Sequence, residues 1–255
     1  MKRRLYSLIG IALLLAVSAA LTAGPAEATT AVTKAQREVV ILSPGLAQGN
    51  ALERSFYNFV EFNAIALATA TLGTRYKTVH IVQGAAATRA GLANTLNEIA
   101  SRTTVRAVDL VFITHGLTTE VVLHDKRWTM AEVRDRIRSG LTLADRAKLR
   151  MVFSTACFGA SHRTAWREAG FKTVSGSREI YADSAASYLP FLSTWALGGT
   201  FAASVTAANV AGVPSGWDLA ASAWYLSKGK PVEASQIDSF RVTSGSTGLT
   251  IGTMP

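Results

Sequence analysis

Short runs of consecutive apolar residues alternate along this chain with longer stretches rich in Ala and Leu. The runs at residues 38–43 (EVVILS, ended by Pro44-Gly45), 76–82, 107–114 (AVDLVFIT), 150–154 and 172–175 read as strands. Those at 107–114 and 150–154 lack regular polar alternation, as expected of strands buried on both faces. Helices are predicted over residues 50–72, about 87–101, from Thr129 as N-cap through Arg138, briefly from Thr142, and over 161–169 before Gly170. A hairpin is predicted over 120–128. From Asp183 the chain is mainly helical, broken at Gly198-Gly199 and at Pro214-Ser215-Gly216. The last fifteen residues are rich in Thr, Ser and Gly and read as a late strand or a tail. Strands separated by helices predict an α/β fold with a largely parallel sheet, right-handed crossovers and helices on both faces.

The N-terminus has a different pattern. Lys2, Arg3 and Arg4 precede an apolar stretch over 5–23, Gly24-Pro25 breaks it, and Ala26-Glu27-Ala28 has the small-x-small form a signal peptidase cuts. The expected organisation is a signal peptide over residues 1–28, cleaved after Ala28, and a small-residue linker over 29–36. A single α/β domain with a helical C-terminal part then fills 37–255, and the product is secreted or periplasmic. An uncleaved anchor is the alternative, since the apolar stretch approaches a bilayer span.

Composition narrows the chemistry. The 255 residues are 49% apolar and 17% charged, which excludes a disordered chain. A single cysteine excludes a disulfide framework and Cys-rich metal sites, and the histidines at 80, 115, 124 and 162 lack the spacing of a zinc helix. No Walker loop and no G-x-G-x-x-G follows a predicted strand. No cofactor and no metal are therefore expected. Beyond residue 28 there remain 23 basic and 16 acidic residues, a net charge of +7. The excess is scattered, with no aromatic-interleaved basic strip, so nucleic acid is not the expected partner. Electrostatic association with an anionic cell envelope is compatible with it.

Ligands of open α/β sheets bind at the carboxyl ends of the strands. Two core strands end here in reactive residues: Phe112-Ile113-Thr114-His115-Gly116 and Phe153-Ser154-Thr155-Ala156-Cys157-Phe158-Gly159. If the strands are neighbours, His115 and Cys157 emerge together. Cys157 just before a helix is expected to have a lowered pKa and to serve as nucleophile. His115 would protonate a leaving amine, and the N–H groups of Gly116 and Cys157 would form an oxyanion hole. The pair His124-Asp125 offers a group to orient His115. Cys157 and His162 show a C-x4-H spacing without further ligands. Trp195, Trp217, Trp224 and Tyr225 are either core or a sugar platform. Ser154 lacks the nucleophile elbow of a serine hydrolase.

The blocks strand–His-Gly and, about forty residues later, strand–Ala-Cys-x-Gly resemble the cysteine peptidase clan of caspases, legumain, gingipains, clostripain and separase, over residues 38 to about 197. The resemblance implies a caspase-like three-layer α/β/α sandwich, His115 as general acid/base, Cys157 as nucleophile and Gly116 in the oxyanion hole. In several relatives the residue two before the cysteine lines the specificity pocket: Gln in caspases, Glu in legumain, Asp in clostripain-like enzymes. Here it is the uncharged Thr155, which implies no strict Asp, Asn or Arg/Lys preference. Ser175, Gly176 and Ser177 occupy the strand end that lines the same pocket in relatives, with Arg178, Glu179 and Asp183 close behind.

The expected function is that of an exported cysteine endopeptidase cleaving peptides or proteins through a Cys-His dyad and a thioester. The alternatives are a non-catalytic, envelope-associated binding module of the same fold, and an acyltransferase or transpeptidase using the same dyad.

Overall fold

The computed structural model describes residues 29–212 and 216–255; the leader expected over 1–28 lies outside the described residues. In chain order the first half runs β1 (Thr30–Ala31), β2 (Arg37–Ser43), α1 (Ala51–Gly73), β3 (Thr78–Gln83), α2 (Arg89–Ala100), β4 (Ala107–Phe112), β5 (Gly116–Leu117), β6 (Glu120–Val122) and β7 (Arg127–Thr129). The second half runs α3 (Met130–Gly140), α4 (Leu143–Arg146), β8 (Leu149–Ser154), α5 (Gly159–Ala169), β9 (Thr173–Ser177), α6 (Ser184–Ala196), α7 (Phe201–Gly212), α8 (Trp217–Ser227), α9 (Pro231–Ser235), β10 (Arg241–Gly245) and β11 (Thr253–Met254). Six strands form the main sheet in the order β10-β9-β8-β4-β2-β3, parallel except for β10 at one edge.

The period-two alternation of β2 explains the layers. Val40 and Leu42 face one side, where they pack with Leu92 and Leu96 of α2, Val133 and Ile137 of α3 and Trp166 of α5. Val39 and Ile41 face the other, with Ala64, Ala68 and Leu72 of α1, Phe191 and Trp195 of α6 and Phe201 of α7. A sheet apolar on both faces has to be covered twice, and the result is a three-layer α/β/α sandwich. Local signals hold at the helix starts. Asn50 caps α1 by accepting from the Glu53 N–H at 3.0 Å, and Thr129 caps α3 by accepting from that of Glu132 at 3.2 Å.

Several expectations change. The small-residue linker over 29–36 is structured: β1 pairs antiparallel with β11, Val32 is buried, and a 3-10 turn spans Lys34–Gln36. The late strand is an integral sheet edge, β10, and the predicted hairpin gains β5 as a third strand. Of the aromatics read as core or platform, Trp195 is buried in the core, while Trp217 and Trp224 are partly exposed. No helix among the described residues is long and apolar enough to cross a membrane.

One charged pair lies inside the sheet. Asp109 of β4 and Arg150 of β8 are both fully buried and meet in a two-point contact, Nε to Oδ1 at 2.9 Å and Nη2 to Oδ2 at 2.5 Å. The Tyr76 hydroxyl donates to the same carboxylate, and Arg150 Nη1 donates to the Ile251 and Thr253 carbonyls at 2.7 and 3.1 Å. The remaining polar atoms of the pair thus find partners, as a buried ion pair requires.

Candidate active site

Because β4 and β8 are hydrogen-bonded neighbours, with Phe112 level with Ser154, the chain leaves both strands at one edge of the sheet. After β4, His115 precedes Gly116. After β8, Thr155 is pinned back to β4 by its N–H, which donates to the Phe112 carbonyl at 2.9 Å, and Cys157 follows two residues later. The two segments touch at Gly116: a Cβ there would overlap the Cys157 carbonyl oxygen and stand 2.9 Å from the Ala156 Cβ and 3.2 Å from the Cys157 nitrogen. Only glycine permits this approach. It brings His115 and Cys157, forty-two positions apart in sequence, to one place. Both are half-buried.

The sulfur lies among main-chain donors. The Tyr181 N–H donates to Cys157 Sγ at 3.4 Å, and the N–H groups of Gly116 and Cys157 also act on it. Phe158, next along, has φ +55° and ψ 24°, a left-handed conformation uncommon for a bulky side chain. That residue turns the chain sharply into α5, which starts at Gly159, two residues earlier than predicted. Here the expected pKa of Cys157 has to be corrected. Burial pushes the thiol up, and the three N–H groups pull it back only in part.

His115 is held from the opposite wall. Its Nε2 lies 2.8 Å from the Leu46 carbonyl oxygen in the loop after β2, and the Tyr57 ring of α1 meets the imidazole edge to face at 5.2 Å and 82°. A carbonyl only accepts, so Nε2 bears the ring proton and Nδ1 is left as acceptor. Burial lowers the His115 pKa, while the Leu46 carbonyl and the Glu61 carboxylate act in the opposite sense. Near neutrality the resting pair is therefore an uncharged thiol and an uncharged imidazole.

Other candidates are placed elsewhere. Asp125 Oδ1 accepts from Trp128 Nε1 at 3.1 Å, and His124 Nδ1 lies 3.4 Å from the Pro44 carbonyl, so the pair His124-Asp125 does not orient His115. His162 is buried in α5 with Nε2 2.8 Å from the Leu117 carbonyl, where it fastens β5. Ser175 and Ser177, expected to line the specificity pocket, are fully buried in β9. Ser175 Oγ accepts from Arg241 Nε at 3.1 Å, and Ser177 Oγ donates to the Glu179 carbonyl at 2.9 Å. Gly176 backs directly onto Gly159, where a Cβ would overlap its main chain. Gly176 thus seats the start of α5 on the sheet, while the Ser175 and Ser177 side chains are spent on bonds inside the protein. The end of β9 reaches the site instead through Tyr181, four residues later. Thr155 stays half-buried two residues before Cys157, and Arg178 is exposed and paired with Asp238 at 3.5 Å.

Sequence reasoning did not find Leu46, Tyr181, Tyr57 or Glu61, and it named Tyr225 only among aromatics of the core or a sugar platform. The first two act through main-chain atoms, which no residue type announces. Tyr225 of α8 sits close enough to Tyr57 and Cys157 to feel both, and burial together with them pushes its hydroxyl up to about 12. Among the described residues no three His, Cys, Asp or Glu side chains are grouped to hold a metal ion.

No family model matches the sequence, and no curated protein matches it significantly. Solved structures do. Caspase-1 from Spodoptera frugiperda is 11% identical with a TM-score of 0.54, over 88% of this chain and 93% of that one. The Arg-specific cysteine proteinase gingipain R is 13% identical with a TM-score of 0.45, over 86% of this chain; the match spans 48% of the gingipain, about half its length. A secreted C11 cysteine protease from Bacteroides thetaiotaomicron is 10% identical with a TM-score of 0.46, over 69% of this chain and 61% of that one. The insect caspase, matched over nearly its whole length, carries the assignment: this chain has the fold of the caspase-like cysteine peptidases.

Proposed function

We propose that the protein is a cysteine endopeptidase in which Cys157 is the nucleophile and His115 the acid and base. The observation that carries this reading is the contact of Gly116 with the Cys157 main chain, which gathers a thiol, an imidazole and converging N–H groups at one strand edge. As sulfur bonds to the scissile carbonyl carbon, the thiol proton passes to His115 Nδ1. The N–H groups of Gly116 and Cys157 receive the negative oxygen. The imidazolium then gives that proton to the departing amine as the C–N bond breaks. A water molecule, losing a proton to His115, attacks the thioester; the S–C bond breaks and the thiol is restored.

The half-buried Thr155 and the rings of Tyr57 and Tyr225 favour uncharged side chains at the cleavage point. The charged N-terminus and the A-x-A site after it support export to the periplasm or medium, and the net charge of +7 beyond residue 28 supports contact with an anionic envelope.

Incubation of a diverse peptide library with wild type and with Cys157→Ala tests the assignment. Wild type is expected to cleave, the variant to lose turnover while keeping its far-UV spectrum, and His115→Ala to lose roughly 10²–10⁴-fold. Equal cleavage by Cys157→Ala would overturn the nucleophile. Products in which an added amine replaces water would identify acyl transfer.

A further inference from the structure

Helix α1 faces the loop after β2 with two side chains one turn apart, Tyr57 and Glu61. Glu61 is 6% exposed, and neither Lys, Arg nor His forms an ion pair with it among the described residues. Both carboxylate oxygens accept hydrogen bonds from one short turn: Oε1 from Ser43 Oγ at 2.5 Å and Oε2 from the Leu46 N–H at 3.0 Å. A buried charge without a cation partner is unfavourable, and a neutral side chain would suffice to tie down a loop. The loop so tied carries the Leu46 carbonyl that holds His115 at 2.8 Å.

We infer that Glu61 is a positioning residue for His115. Its carboxylate clamps the turn from Ser43 to Leu46, so that the Leu46 carbonyl fixes the tautomer with Nδ1 free, and its negative charge favours the imidazolium once the ring has taken the thiol proton. This role deepens the peptidase reading and rests on it. Tyr57 meets the ring and the Glu61 carboxylate of the same helix acts on it; Tyr225 of α8 lies near Tyr57, Cys157 and Glu233, and His124 of the hairpin touches the same turn at the Pro44 carbonyl. Of these carboxylates Glu61 is the one that acts on His115. It contacts neither the sulfur nor the site of a substrate, and it acts on the imidazole through Leu46 and through space.

The test is the titration of His115, followed by NMR on the labelled full chain in a Cys157→Ala background, with and without Glu61→Gln. The glutamine variant is expected to titrate at lower pH than the parent. In the active enzyme Glu61→Gln is expected to lower kcat by about 10- to 100-fold, the scale of lost orienting partners, with KM within twofold. The acid limb of its pH profile moves to lower pH. A merely structural role would reduce the folded fraction and leave both midpoints unmoved. Glu61→Asp keeps the charge and withdraws it by one methylene, so a smaller shift in the same direction is expected; it decides the matter should the glutamine variant not fold. An unmoved His115 midpoint in a folded Glu61 variant overturns the inference. A shifted midpoint in a folded chain whose wild type cleaves no peptide leaves the coupling of Glu61 to His115 standing and removes its catalytic meaning together with the peptidase reading.

Discussion

At Cys157 burial and three main-chain N–H groups act on the sulfur in opposite directions, and burial is the larger. The thiol therefore ionises above its ordinary 9.0, and its proton leaves during attack rather than beforehand. The alkylation rate of native protein with iodoacetamide is expected to be small at pH 7 and still rising past pH 9; a plateau below pH 8 would show a preformed thiolate. The linked effect on stability has a fixed sign. An unfolded chain ionises its cysteine first, so the contribution of Cys157 is complete below pH 9 and is lost as pH rises toward the folded value. At this scale half of the site was legible. His115-Gly116 and Ala156-Cys157 stand out because their position at strand ends follows from local pattern. The grip on His115 does not, because Leu46 acts through a carbonyl and Glu61 lies on a helix whose neighbours Phe59 and Phe62 are largely exposed.

Elements behave differently, since strands announce themselves by what they bury. The run from Ala107 is interrupted by Asp109, yet the strand holds, because Arg150 on the next strand supplies two hydrogen bonds to that carboxylate. Sequence shows the two residues; the register that brings them together is set by the sheet. Removing one partner leaves the other as a lone buried charge. Asp109→Asn, of equal size, is expected to destabilise the protein by about 3–5 kcal/mol, read as a lower urea midpoint at unchanged slope. Replacement of both residues by apolar ones of similar volume is expected to recover much of that loss. A polar strand is harder to read. β10 has the sequence RVTSG and was indistinguishable from a tail, because its stabilising contacts are made by a buried arginine, Arg241, with Ser175 and the Ser154 carbonyl. The same interaction holds Ser175 inside the protein, so an edge strand that the sequence left open between strand and tail helps to bury one of the predicted pocket residues.

Across the whole molecule, the first and last described segments are joined at the end of the sheet remote from the candidate site. Arg37, at the start of β2, donates from Nη1 to the Ile251 carbonyl at 3.0 Å, and Arg150, at the start of β8, donates to the same oxygen at 2.7 Å. β1 pairs with β11 beside them, with Thr30 opposite Met254. His115 and Cys157 follow the opposite ends of β4 and β8. Stability and chemistry are thus anchored at opposite ends of the same strands, and the two should separate experimentally. Removal of residues 250–255 withdraws the carbonyl acceptors of Arg150 Nη1 and one of those of Arg37, while the Asp109 contact and the site residues remain. Unpaired buried donors on charged groups cost about 1–3 kcal/mol each, so the truncated chain is expected to lose roughly 3–5 kcal/mol in urea unfolding. Below its unfolding transition it should retain the alkylation profile of Cys157 and, where turnover is measured, the KM of the full chain. A truncation that left stability intact would show that the clasp contributes nothing. One that changed the thiol's pH response while the protein stayed folded would show that the two ends of the sheet are coupled, which the separation of these contacts along β8 argues against.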